Sequence, residues 1–407
     1  MYKVFEVTLG HPPVDKSHAR ASLELPASPF ALRDALDRAR IRDGGDMKME
    51  ISWASEDLRF LTDGMGEWIC KPTELFLLNA LAEKYVEMDL TEFCAFEGMV
   101  RMELEKGKHQ IPTARLYDLA SSVDCCHVVP EAADDASLGR FYVDGGFLSE
   151  YENLPETILQ NLDYAKIGGE VRKGEGGVFV KGGGYVVQHE EFVEAAKDFA
   201  PKEPDYVVLM EVQRGEQSVT LKLPATPQEI NAALDAVGAA DWKDVDTRCM
   251  DCKAPVLVEA ITESGSIEQA NRAAQTLEGL TDRQLTVYKA LLEAKWFSSL
   301  DEAMEMAGQL DQYILSQEFA SAEDVGLSCL QVLLGEDEAG LVLPHVNLYA
   351  YGASMIHRFH YSLTTYGAME RRDGEPVREA HGKQPDDGRK TGSSQAKPRR
   401  KRREPAR

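Results

Sequence analysis

The pattern of apolar and polar positions along the chain is written twice. Leu23–Asp37 reads LELPASPFALRDALD and Leu221–Asp235 reads LKLPATPQEINAALD, with eight of fifteen residues identical, no gap, and a spacing of 198 residues. In each copy "LPA" ends a run in which apolar and polar residues alternate, the period of a half-buried strand. "YKVFEVTLG" precedes the first copy, and "YVVLMEVQRGEQSVTLKL" precedes the second as two strand-like runs around Arg214-Gly215. Ser28-Pro29 and Thr226-Pro227 read as an N-cap followed by proline at the first helical position. Leu32, Ala35 and Leu36 match Ile230, Ala233 and Leu234 at helical spacing. Each copy therefore opens as strand, turn and amphipathic helix.

Helix-start signals are regular further along the second copy. Ser266-x-x-Gln269, Thr281-x-x-Gln284 and Ser299-x-x-Glu302 match a capping box, in which two side chains satisfy free backbone amides reciprocally. They predict helices over 267–279, 282–295 and 300–315, the second with Leu285, Tyr288, Leu291 and Leu292 on one face. The first copy has counterparts in "ELFLLNALAEKYVEM", "DLTEFCAFEGMVRMELE" and "ARLYDLASSV". A further subregion closes each copy. It is "LPETILQNLDYAKIGGEV" with the strand-like "GGVFVKGGGYVV" in the first, and "LPHVNLYAYGASMI" with "YSLTTYGAM" in the second.

A polar, proline-containing link, Ala200-Pro201-Lys202-Glu203-Pro204, places the division at residues 1–198 and 199–378. Residues 379–407 are polar, rich in glycine, proline and serine, and without apolar periodicity, so they read as a disordered basic tail. The fold class is α+β, with each unit made of a small β-rich start, a helical middle and a mixed closing subdomain. No apolar run is long enough to span a membrane, the N-terminus lacks the features of a signal peptide, and seven scattered cysteines suit a reducing cytosol.

Charge sharpens the picture. The net charge is −24, with 45 basic and 69 acidic residues. The last 27 residues hold 10 basic and 3 acidic ones, which leaves 35 against 66, or −31, in residues 1–380. Such a field steers a positively charged partner.

The order and wording of these parts resemble the ArdA family of antirestriction proteins, whose closing segment has a pattern like IDYEAYGRDL. Leu162-Asp163-Tyr164-Ala165-Lys166-Ile167-Gly168-Gly169-Glu170 keeps the Asp-Tyr pair, the glycine and the last acid. It departs at Ile167 and Gly169, where the family tends to have tyrosine and arginine. Asn347-Leu348-Tyr349-Ala350-Tyr351-Gly352-Ala353-Ser354 keeps Tyr351-Gly352 and loses both acids and the arginine. The resemblance covers most of both copies and none of the tail. It implies an elongated, acidic DNA mimic that occupies the DNA-binding groove of type I restriction-modification enzymes. Such proteins come from conjugative elements and phages and act in the bacterial cytoplasm, usually as dimers of one unit. Two units in one chain would make a pseudo-dimer, or would dimerise further as a homodimer.

Duplex DNA presents about one negative charge per 1.7 Å, so a competitor needs spread carboxylates. The first unit offers Glu83, Glu87, Asp89, Glu92, Glu97, Glu103, Glu105, Asp134 and Asp135, with Asp163 and Glu170 in its closing motif. The second offers Glu278, Asp282, Glu293, Asp301, Glu302, Glu305, Asp311, Glu318, Glu323, Asp324, Glu336, Asp337 and Glu338. Glu83/Glu87 and Asp301/Glu305 are like-charge pairs one turn apart, which slightly destabilise a helix. Taken singly, each acid reads as a solvated helix face; taken as a set, they read as a surface.

Other signals are weaker. Cys249-Met250-Asp251-Cys252, even with Cys125, Cys126 and His127, matches no zinc spacing. The glycine-rich stretch lacks a phosphate-loop pattern, and its glycines suit tight turns. His357 and His360 read as packing residues. No catalytic constellation has a local signature, so no enzyme activity, metal or cofactor is expected. The run Arg399, Arg400, Lys401, Arg402 and Arg403 suits nonspecific contact with nucleic acid, or a fold-back onto the acidic body. A rival reading keeps the ArdA-like fold as a non-mimic interaction protein of a mobile element, with the tail contacting nucleic acid or a partner.

Overall fold

The computed structural model describes residues 2–378, apart from 13–17, 43, 63–66, 108–110 and 182. The expected tail, with Arg399 to Arg403, lies outside the described residues. The fold is α+β, and one order of elements runs twice.

The N-terminal half opens with strands β1 (Phe5–Gly10) and β2 (Arg20–Leu25), helix α1 (Pro29–Arg38) and strand β3 (Met47–Ala54). A short helix α2 (Arg59–Thr62) and an edge strand β4 (Glu67–Cys70) follow, giving an antiparallel sheet in the order β2-β1-β3-β4. Strand periodicity buries Phe5, Val7 and Leu9 on one face of β1. Ser28 caps α1 by accepting from Ala31 N, with Pro29 at the first helical position. The helical middle holds α3 (Pro72–Glu87), α4 (Leu90–Glu105) and α5 (Thr113–Ala120). Strand β5 (Cys126–Val129), helices α6 (Asp135–Asp144), α7 (Glu156–Leu159) and α8 (Tyr164–Glu175), and strands β6 (Val178–Phe179) and β7 (Tyr185–Gln188) close the half, with sheet order β5-β7-β6.

The C-terminal half repeats this order without the edge strand. Strands β8 (Val208–Arg214) and β9 (Gln217–Leu223) lead to α9 (Pro227–Ala236), β10 (Asp246–Cys252) and α10 (Val258–Ser264). The sheet order is β10-β8-β9, so the first strand is again central. Leu25-Pro26 and Leu223-Pro224 are both cis. Next come α11 (Ile267–Glu278), α12 (Asp282–Lys295) and α13 (Leu300–Ala307). Strand β11 (Tyr313–Ser316), helices α14 (Ala322–Leu334), α15 (Glu336–Val342) and α16 (Leu348–Phe359), and strands β12 (Ser362–Thr364) and β13 (Gly367–Arg371) close this half, in sheet order β11-β13-β12.

The second helix start carries a full capping box, Thr281 with Gln284, and the predicted face Leu285, Tyr288, Leu291 and Leu292 is buried. Ser266 and Ser299 cap through their hydroxyls alone, and the Glu302 carboxylate turns instead to Ser298 N. The helix expected over 300–315 stops at Ala307. Gly308 follows it, and the chain turns into β11, whose pairing with β13 replaces the helical hydrogen bonds.

In both closing subregions two helices cross at glycines. A Cβ on Gly139 would lie 2.0 Å from Tyr164 O, and one on Gly168 would lie 1.9 Å from Asp135 O. On Gly326 it would lie 2.6 Å from Leu348 O, and on Gly352 1.7 Å from Ala322 O. The glycine of each closing motif thus lets α8 touch α6, and α16 touch α14, backbone to backbone.

Residues Met1–Val377 form one compact unit. Within it the two halves keep separate hydrophobic cores, one spanning Val4–Val186 and the other Val208–Val377. Among the described residues no helix is long and apolar enough to cross a membrane.

Candidate functional site

The candidate acids divide by what the fold does with them. Glu87, Glu105, Glu170, Glu278, Asp282, Asp301, Glu305, Asp311, Glu318, Glu336, Asp337 and Glu338 are exposed. Several stand in the first turn of a helix: Asp282 on α12, Asp301 on α13, and Glu336 to Glu338 on α15. There the partial positive end of the helix offsets part of their charge. Glu278, Glu305 and Glu318 lie outside first turns, and Asp311 stands in the single 3-10 turn Leu310–Gln312. Asp301 also accepts from Gln269 at 3.4 Å and lies 4.0 Å from Arg272.

A second group is exposed or half-buried and more closely engaged. Asp89 and Glu92 form the capping box of α4, Asp134 caps α6 through Ser137 N, and Asp163 caps α8 through Lys166 N. Asp324 accepts from Ala320 N at 2.8 Å, and Glu293 from Thr365 N at 2.9 Å. Half-buried Glu323 lies in the first turn of α14. Backbone amides of Ser137 and Ser298 hold Asp134 and Glu302 below the usual carboxylate range. Asp135 accepts from Arg172 at 2.7 and 3.2 Å, which lowers its pKa as well. Glu83 behaves differently. Asn79 Nδ2 donates to its Oε1 at 2.8 Å, yet burial of the carboxylate end raises its pKa.

Glu97 and Glu103 do not belong to the surface. Each is 2% exposed. Glu97 accepts from Arg101 Nε at 2.7 Å and from Lys181 N at 3.1 Å, while Glu103 accepts from Arg115 at 3.0 Å. These two acids hold α4 to its neighbours and offer no charge to a partner.

The second feature is a polar seam between the halves, built around α1. Lys289 on α12 is 2% exposed and places Nζ 2.7 Å from both Asp34 Oδ1 and Asp37 Oδ2. Tyr366 donates to Asp34 Oδ1 at 2.7 Å, and Arg38 to Asp34 Oδ2 at 3.1 Å. Asp251 on β10, also 2% exposed, accepts from Ser28 at 2.6 Å, Phe30 N at 3.3 Å, Tyr206 at 2.9 Å and Cys252 N at 2.9 Å. Four donors are the compensation that a buried carboxylate needs. Phe30 packs edge-on against Tyr206, Arg40 donates to Phe319 O, and His18 pairs with Asp324 at 2.8 Å.

The seam is not symmetric. Matched through the repeat, Asp34 corresponds to Ala232 and Phe30 to Gln228, while Lys289 corresponds to Glu97 by its place after the helix cap. Strand pairing likewise matches Asp251 with Trp53. One half supplies the inserted helix and the other supplies the receiving face. α9, the counterpart of α1, keeps Gln228, Asn231, Ala232 and Asp235 exposed.

Sequence reasoning missed these seam residues. The signal was present as departures between the two copies: aspartate against alanine at 34 and 232, and a lysine inside the apolar face of α12.

Cys249 and Cys252 are buried in the C-terminal core, where burial pushes the Cys249 thiol up to about 12. Among the described residues no group of three or more histidine, cysteine, aspartate or glutamate side chains is arranged to hold a metal ion. His357 and His360 are exposed rather than packed, and His360 ends α16 in the left-handed conformation at φ 58°. No protein-family model matches the chain, and no curated protein matches it.

Proposed function

We propose that the protein is an antirestriction protein of the ArdA type, two units in one chain, acting as an acidic DNA mimic in the DNA-binding groove of a type I restriction-modification enzyme. The supporting observation is a repeated α+β order whose exposed helix surfaces carry acids in both halves, within a body of net charge −31 outside the tail. Such a surface competes with DNA by charge and shape and requires no bond-making chemistry. Association is fast through steering and weakens with salt, since screening acts over about 8 Å at physiological ionic strength.

The test is plating of unmodified phage on a type I restricting bacterial host that expresses the protein. Wild type restores plating. A variant with Glu278, Glu305, Asp311 and Glu318 changed to glutamine or asparagine restores less while keeping its fold. If wild-type protein, present and folded, leaves plating unchanged, the proposal fails for that enzyme.

One observation favours the rival reading, a non-mimic interaction protein on the same fold. Val332, Leu333 and Leu341 are 85%, 71% and 76% exposed beside Glu336 to Glu338, and Tyr349 is 63% exposed. An apolar patch of this kind interrupts an acidic surface and marks a contact with another protein.

A further inference from the structure

A cavity of about 300 Å³ opens where the seam meets α3. Pro26 and Pro29 at the entry to α1, Val86 on α3, Leu209 on β8 and Met250 on β10 give it apolar walls from both halves. Glu83 and Glu87, one turn apart on α3, add two carboxylates to the same lining. Val86 and Met250 are 43% and 37% exposed, so the cavity communicates with solvent.

The two copies share one asparagine contact and differ at these two acids. Asn79 Oδ1 accepts from Ala27 N at 2.7 Å, and its counterpart Asn271 accepts from Ala225 N at 2.8 Å. In the N-terminal half the Asn79 amide donates to Glu83, whereas in the C-terminal half the Asn271 amide donates to Ala225 O. Four and eight residues beyond the asparagine, the C-terminal half carries Gln275 and Gly279 where the N-terminal half carries Glu83 and Glu87. The acids occur in the copy whose α3 borders the seam cavity.

We propose that this cavity receives a guanidinium or ammonium group on an aliphatic stem: an arginine or lysine side chain of the bound partner. The apolar walls cover the stem, and Glu83 and Glu87 pair with the cation. Arginine fits best, because its planar fork can meet two carboxylates at once. A cation here also offsets the desolvation that raises the Glu83 pKa, as the charge of the chain's own Lys202 already does in part. The inference rests on the reading of the protein as a partner of a basic groove, and names one anchoring point within it.

The test titrates agmatine, a guanidinium on a four-carbon chain, into the full-length protein and follows binding by calorimetry. Wild type binds saturably. Glu83→Gln weakens binding about tenfold, the loss of one charge-assisted contact. Val86→Trp, which fills the cavity and keeps both acids, abolishes it, and the distant pair Glu336→Gln/Glu338→Gln leaves it unchanged. Equal weakening in the distant pair, or unchanged binding in Val86→Trp, overturns the site and leaves only general attraction to an acidic protein. Phage plating with Val86→Trp then tests the partner. Reduced protection supports the anchoring role, and full protection despite lost agmatine binding overturns it. If wild type binds agmatine at this cavity and gives no protection, the functional reading fails and the cation site stands.

Discussion

Lys289 and Asp34 meet at 2.7 Å across the two halves of the chain, with neither side chain open to solvent. The pair is the centre of the seam. A buried pair is marginal as a source of stability, but removing one partner strands the other. Lys289→Ala leaves Asp34 with Tyr366 and Arg38 alone and costs about 3–5 kcal/mol. Combining it with Asp34→Asn costs less than Lys289→Ala alone. Urea unfolding of the four proteins in the cycle checks both statements; a double-variant loss equal to the sum of the two single losses would remove the coupling.

The glycine crossings make a sharp contrast within one helix. Gly168→Ala drives a Cβ to 1.9 Å from Asp135 O, while Gly174→Ala on the same helix meets open space. Gly168→Ala therefore destabilises by at least about 2 kcal/mol, since backbone cannot yield as a side chain tip can. Gly174→Ala stabilises by about 0.5–1 kcal/mol through helix propensity. Thermal melts of both variants test the pair of signs.

Two carboxylates respond to pH in opposite directions. Burial raises the Glu83 pKa, so its contribution is most favourable below the unfolded value near 4.3 and is lost as pH rises through the folded value. Glu83→Gln accordingly gains stability relative to wild type as pH rises from about 4 to 8. Arg172 lowers the Asp135 pKa, so that contribution is present above the unfolded value near 3.9 and is lost as pH falls through the folded one. Asp135→Asn loses stability at neutral pH and converges on wild type in acid. Melting temperatures across that range decide both.

Acids that fold the protein separate from acids that face a partner. Glu97→Ala removes a 2% exposed carboxylate and strands Arg101, at a cost of about 3 kcal/mol. Glu278→Gln and Glu305→Gln, both exposed, stay within about 0.5 kcal/mol of wild type. Protection from restriction follows the reverse order when it is scored per folded molecule. A surface variant that unfolds the protein, or a Glu97 variant that loses protection while fully folded, would break this division.

Much of the fold was legible because local signals agreed with one another. Ser28-Pro29, Thr226-Pro227 and Thr281-x-x-Gln284 marked helix starts that the structure keeps, and the two LPA strand ends fall where the sheets end. The helix expected after Ser299 was overlong because a capping box marks only a start, and the chain passes Gly308 into residues that pair as a strand. The acidic surface was legible only in outline. A carboxylate one turn from arginine, as Glu97 is from Arg101, looks the same in sequence whether the pair is solvated or buried. Burial of Glu97 depends on Lys181, 84 residues away, and on β7 packing against α4. The seam was hidden for a related reason: a buried lysine declares itself only when its aspartate arrives from the other half.

DNA mimicry is tested most directly by competition. Purified protein is mixed with a type I restriction-modification enzyme and a labelled DNA carrying its recognition sequence, over a range of salt concentrations. Mimicry predicts that the protein displaces DNA from the enzyme and binds it without DNA. Its affinity should fall as salt rises, and the variant lacking Glu278, Glu305, Asp311 and Glu318 as acids should bind more weakly. Folded protein that leaves the DNA bound at low salt, or binds the enzyme with no dependence on salt or on those acids, would contradict it.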